Sequence, residues 1–70
     1  MNLEIGQTIE FIEDNLIQTA RIIRIEGLFK SKITVANVSK FANENKILVI
    51  HKSDILNIIK SNKLELKEQL

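Results

Sequence analysis

Thr8-Ile9-Glu10-Phe11-Ile12-Glu13-Asp14-Asn15-Leu16-Ile17-Gln18-Thr19-Ala20 is the stretch that decides the fold. Its first six residues alternate apolar and polar with period two and are rich in β-branched and aromatic side chains, which predicts a strand with Ile9 and Phe11 facing inward. Gly6 marks the turn into it. Asp14-Asn15 then interrupts, and both residue types tolerate left-handed backbone, so the pair predicts a tight hairpin turn. A returning strand follows over Leu16 to Ile25, with Ala20 and Ile22 on one face. Ile22-Ile23 and Ile25 break strict alternation, the mark of a bulge or strong bend.

Beyond this hairpin, Glu26 to Lys32 reads as a distorted turn around Gly27, and Ile33 to Ala36 as a short strand with Ile33 and Val35 inward. Asn43-Glu44-Asn45 predicts a turn. Lys46 to Ile50 is an apolar run too short for a helix, hence a strand either buried on both faces or forming an edge that pairs with another chain. Ile55 to Ile59 reads as a last strand, with a competing helical reading in which Ser53 is the N-cap and Ile55, Ile59, Leu66 and Leu70 share a face. The expected architecture is an all-β, five-stranded SH3-like barrel over residues 1–60, with a short C-terminal helix as the alternative ending and 61–70 as a charged tail.

Composition narrows the chemistry. The chain has 70 residues, enough for one small core and no second domain. It has no Cys and one His, which removes disulfides, thiolate nucleophiles and multi-histidine metal sites within one chain. No apolar run approaches the roughly 18 residues that cross a bilayer, and the acidic start Met1-Asn2-Leu3-Glu4 is unlike a signal peptide, so a cytoplasmic location is expected. No cofactor or metal is expected, and no membrane partner.

From Ile5 to Ile59 the order of motifs resembles the YkvS family. The carrying residues are Ile5-Gly6, Ile9-Glu10-Phe11, the turn before Leu16, the apolar strand ending at Ile25, Ile33 to Val35, and Leu48-Val49-Ile50-His51-Lys52 before a final Ile-rich segment. That family comprises small Firmicute proteins of KOW-like or SH3-like character with no assigned activity. The resemblance implies a barrel that binds through strand faces and loops, and it implies no catalytic residues.

Charge distribution says more than charge total. Residues 1–19 carry four acids and no base, residues 20–52 carry seven bases and two acids, and the remainder balances. If the middle strands share one side, Arg21, Arg24, Lys30 and Lys32 form a basic patch for phosphates with Phe29 as its stacking ring, which predicts nucleic-acid binding. The plainer reading makes these ordinary solvent-facing strand positions, with cross-strand pairs such as Glu10 with Arg21. The competing function starts from thirteen isoleucines: Ile12, Ile17 and Ile23 at outward positions, with Phe29, suggest an apolar surface for a protein partner. A small regulator, such as a phage or mobile-element inhibitor of a host protein, would dock this way, and the Lys46 to Ile50 edge suggests a homodimer. His51 beside Ser53 and Asp54 has the residue types of a serine triad but reads as a strand end whose ring bonds Asp54 or a carbonyl, so no enzymatic activity is expected. Glu10, Glu13 and Asp14 are the one acidic group with cation-binding chemistry, in a spacing unlike a calcium loop.

Overall fold

The structure, a computed structural model, describes residues 2–41 and 46–60. Five antiparallel strands form one sheet: β1 (Thr8–Glu13), β2 (Leu16–Glu26), β3 (Lys32–Ala36), β4 (Ile47–His51) and β5 (Ile55–Lys60), in the order β4-β3-β2-β1-β5. Among the described residues there is no α-helix, only 3-10 turns at Leu28–Lys30, Ser39–Phe41 and Lys52–Asp54. No helix among them is long and apolar enough to cross a membrane.

The Asp14-Asn15 turn forms as its chemistry predicts, with φ of 51° and 62°, the left-handed pair of a two-residue hairpin. Such a turn fixes Glu13 opposite Leu16, and the register then runs without slippage to Thr8 opposite Arg21. This places Glu10 opposite Thr19, so the expected Glu10–Arg21 pair does not form as direct neighbours. Just before β1 the pairing bulges: Ile22 N donates to Gln7 O at 2.9 Å but Gly6 N, not Gln7 N, donates to Ile22 O at 2.8 Å, so Gly6, at φ 97°, and Gln7 together face Ile22.

The broken alternation in β2 is a bulge: Ile22 faces Val35 while Arg24 faces Thr34, leaving Ile23 as the extra residue. Ile22 is therefore buried, Ile23 and Arg24 both turn outward, and Ile25 returns to the core side. A bulge increases local twist, which lets an eleven-residue strand serve both halves of a bent sheet. How strongly the sheet bends follows from its last connection. Four inter-strand spacings would separate β4 from β5 by roughly 19 Å in a flat sheet. The 3-10 turn Lys52–Asp54 that joins them bridges only about 8 Å. The sheet must curl, and Ile50 of β4 and Ile55 of β5 accordingly enter the same core as Ile9, Phe11, Ala20, Ile22, Ile33, Val35 and Val38. Among the described residues no ladder joins β4 to β5.

Two open readings are decided here. Of the two for β4, the structure gives the edge and not burial on both faces: Ile47 and Val49 are well exposed, because an apolar run shows only that its side chains avoid charge, not that both faces are covered. The segment from Ser53 is not helical through residue 60, since Ile55–Lys60 pairs with β1 as β5. The cap of the turn before it is His51, not Ser53: the Nδ1 of His51 accepts from Ser53 N, and Asp54 Oδ2 accepts from His51 N at 3.2 Å, a capping box. The predicted turn at Asn43-Glu44-Asn45 and the tail at 61–70 lie outside the described residues.

One end of the core is closed by the Ser39–Phe41 turn. Ser39 Oγ donates to the buried Gln18 Oε1 at 2.7 Å and accepts from Thr19 N at 3.0 Å. Lys40 Nζ reaches Glu13 at 2.7 Å and Asp14 at 3.1 Å, while Phe41 packs on the core. These hydrogen bonds, Glu13 foremost and then Asp14, hold the Lys40 ammonium above its ordinary value of 10.5. At the N-terminal side, buried Gln7 accepts from Glu4 N at 2.8 Å and donates to Asn2 O at 3.3 Å, so its amide is satisfied inside the turn it stabilises.

Candidate nucleic-acid interface

The loop from β2 to β3 is built on an unusual backbone. Gly27 takes φ 88°, where a Cβ would stand 3.2 Å from the Lys32 Cβ, so only glycine fits without movement. Phe29 and Lys30 then follow with φ of 57° and 55°. Left-handed backbone costs a side-chain-bearing residue about 1–2 kcal/mol. Two such residues in succession hold the loop in a shape that hydrogen bonds preserve, Lys30 N to Gly27 O at 3.0 Å and Ser31 N to Leu28 O at 3.2 Å. The result is that Leu28 and Phe29 stand 79 % and 86 % exposed. Strain that presents an aromatic ring to solvent is an observation from which function can be argued.

Facing this loop is the corner between β4 and β5. Lys52 N donates to Ser31 O at 2.8 Å and ties the two together. Between them lies an open groove of about 620 Å³ lined by Leu28, Phe29, Ser31, His51, Lys52, Ser53 and Ile55. A smaller pocket of about 100 Å³, lined by Asn2, Leu3, Lys30 and Lys52, shares Lys52 with it. The groove thus offers one exposed phenyl ring, one imidazole, two hydroxyls and Lys52, and Lys30 lines the smaller pocket that shares Lys52 with it.

Ser53 N donates to His51 Nδ1 at 3.0 Å, and Ser53 Oγ lies 2.7 Å from the same nitrogen. An acceptor Nδ1 leaves the ring proton on Nε2, which is then a donor. The ring bonds Ser53, not Asp54 or a carbonyl as the sequence suggests. A serine hydroxyl 2.7 Å from imidazole has the spacing of a nucleophile and base, and the carboxylate of Asp54 engages the His51 main chain instead of the ring.

The residues expected to form the basic patch are only partly brought together. Lys30 lines the smaller pocket, and Lys32 lies opposite His51 in the β3–β4 ladder. Arg24 and Lys32 both approach Glu26, at 3.2 Å and 3.8 Å, so two cations share one acid. Arg21 is exposed four positions along the ladder from Lys32's partner row, roughly 13 Å away, and does not join them. Lys52, His51, Ser31 and Ser53 complete the site. Sequence offered no signal for grouping them, since they come from two segments that meet only because β3 pairs with β4, setting Lys32 opposite His51 and Ser31 beside Lys52.

The residues expected to dock a protein are likewise divided. Ile12 and Ile17 are direct cross-strand partners, 42 % and 63 % exposed, at the hairpin end. Ile23 sits at the bulge, about 20 Å further along β2, and Phe29 lies beyond it in the loop. They do not form one surface. Glu13 and Asp14 are engaged by Lys40, and among the described residues no group of three His, Asp or Glu side chains is placed to hold a metal ion.

Comparison with family models, with curated proteins and with solved structures finds no match to this chain.

Proposed function

We propose that this protein is a non-catalytic binding module with an SH3-like barrel, and that it holds single-stranded nucleic acid in the groove between the Gly27–Ser31 loop and the β4–β5 corner. The barrel reading is supported by strand order β4-β3-β2-β1-β5, by the bulged and shared β2, and by the 3-10 turn before β5. It agrees with the YkvS resemblance.

The observation that carries the functional reading is Phe29, exposed on strained backbone in the lining of a groove that also holds Lys52, with Lys30 in the adjoining pocket that shares Lys52. A base stacks on Phe29 and the adjoining phosphate meets the two ammonium groups, while Ser31, Ser53 and the Nε2–H of His51 address the base edge. Bases stacked within a duplex offer no free ring face to such a site. Fluorescence anisotropy with a labelled single strand and its duplex tests this. The single strand binds more tightly, with a log–log salt slope of about −1.4 for two phosphate contacts. Lys30→Glu with Lys52→Glu removes binding, whereas Arg21→Glu leaves it nearly unchanged. Equal affinity for Phe29→Ala and wild type would refute the reading.

A second reading rests on Ile12 and Ile17, which meet across the hairpin with both side chains exposed. Docking of a protein partner there would be salt-tolerant and lost on Ile12→Asp, with Phe29 irrelevant to it.

A further inference from the structure

β4 is an unguarded edge. Natural sheets blunt their outer strands with charges, prolines or bulges. Ile47-Leu48-Val49-Ile50 contains no charge and no proline, and its ladder with β3 runs in unbroken register from Lys32 opposite His51 to Ala36 opposite Ile47. Among the described residues nothing pairs with its outer side. Ile47 and Val49 alternate on one face of the strand, 62 % and 55 % exposed. The other edge strand differs: the β1–β5 ladder shifts register twice within six residues. A bent edge of that kind offers no regular template.

We infer that the occupant of the β4 edge is the β4 edge of a second copy, joined antiparallel about a two-fold axis through Leu48. In that register each Ile47 lies opposite the other copy's Val49, and each Leu48 opposite its counterpart. Both exposed side chains are thereby covered by apolar partners on the same face, and no charged residue within the four-residue run opposes another. A slip of one residue would put exposed Ile47 opposite buried Ile50 and lose that match, and a slip of two would put His51 opposite Ile47. Head-to-tail pairing of β4 with the copy's β5 would set a straight edge against a bulged one. The two-fold arrangement closes on itself and stops at two copies. Main-chain hydrogen bonds supply most of the attraction, and the contact is small, so association depends on concentration. This surface does not use Phe29, Lys30 or Lys52, and it stands whether or not the groove binds nucleic acid.

Sedimentation equilibrium of the full chain, raised from the micromolar into the millimolar range, gives a mass that climbs to twice that of one chain. Val49→Lys, an exposed substitution that leaves the core intact, weakens dimerisation at least tenfold while preserving the circular dichroism spectrum. The chain has no native cysteine, so register can be read by oxidation. Ile47→Cys mixed with Val49→Cys cross-links, because directly opposed residues lie within disulfide reach. Each variant alone does not, because diagonal neighbours lie about 7–8 Å apart. A monomer throughout, an unimpaired Val49→Lys dimer, or cross-linking of either single variant in preference to the mixture would overturn the inference.

Discussion

Phe29→Gly separates the strain of the loop from its use. The wild-type ring is 86 % exposed, so its removal takes away little packing, while the φ of 57° that Phe29 endures is one that glycine adopts freely. Relief of left-handed strain returns about 1–2 kcal/mol, against about 0.5–1 kcal/mol for the added freedom of glycine in the unfolded chain. The folded state therefore gains about 0.5 kcal/mol. For a domain of this size that is a rise of about 2–4 °C in Tm, measurable by differential scanning calorimetry. The same change removes the stacking ring, worth about 1–3 kcal/mol per base, and so weakens single-strand binding by roughly 5- to 150-fold in an anisotropy titration. A variant that gains stability and loses affinity is the expected signature of a loop strained for binding. A Tm lowered by several degrees would show that Phe29 packs structurally, and the argument from strain would fall.

Ile22→Ala, at the fully buried position beside the bulge, is expected to cost about 2–5 kcal/mol by urea denaturation, because β2 is held on both sides there and cannot collapse into the cavity. His51→Ala removes the acceptor that caps Lys52–Asp54 and costs about 0.5–2 kcal/mol, whereas His51→Asn, which retains an acceptor, recovers most of it in the same assay. Lys40 is held above its ordinary value in the fold, so its contribution is fully present below pH 10.5 and disappears as pH rises through the folded value. Thermal melts across that range should fall more steeply for wild type than for Lys40→Met.

Much of the sheet was legible because period-two patterning and turn chemistry are local. Ile9, Phe11, Ala20, Ile22, Ile33 and Val35 are read as inward from alternation alone, and each is buried. The Asp14-Asn15 turn determines the β1–β2 register, so Glu10 opposite Thr19 follows from the turn itself, and the Glu10–Arg21 pair overlooked that constraint. The bulge at Ile23 was visible as broken alternation. What sequence could not decide was whether the Lys46 to Ile50 run is covered on both faces or forms an edge: only strand order makes β4 an edge and leaves Ile47 and Val49 exposed. Nor could it show that Gln7 and Gln18 are buried, since amides enter a core only when distant atoms satisfy them. The groove was illegible for a related reason. Phe29 and Lys30 were recognisable in isolation, but His51, Lys52 and Ser53 come beside their loop only through the β3–β4 pairing of Lys32 with His51, which local patterning does not specify.

The strand order also sets a folding sequence. β1 through β4 are joined by successive antiparallel pairings, each of which can zip from its own turn. β5 alone must return across the whole chain, with Lys60 finding Thr8. Closing a loop of about fifty residues costs on the order of 3 kcal/mol in chain entropy before any contact rewards it. The final strand is therefore the latest to lock and the earliest to release, and the groove, otherwise framed by the β3–β4 pairing, gains its Ile55 wall only when that last step is complete.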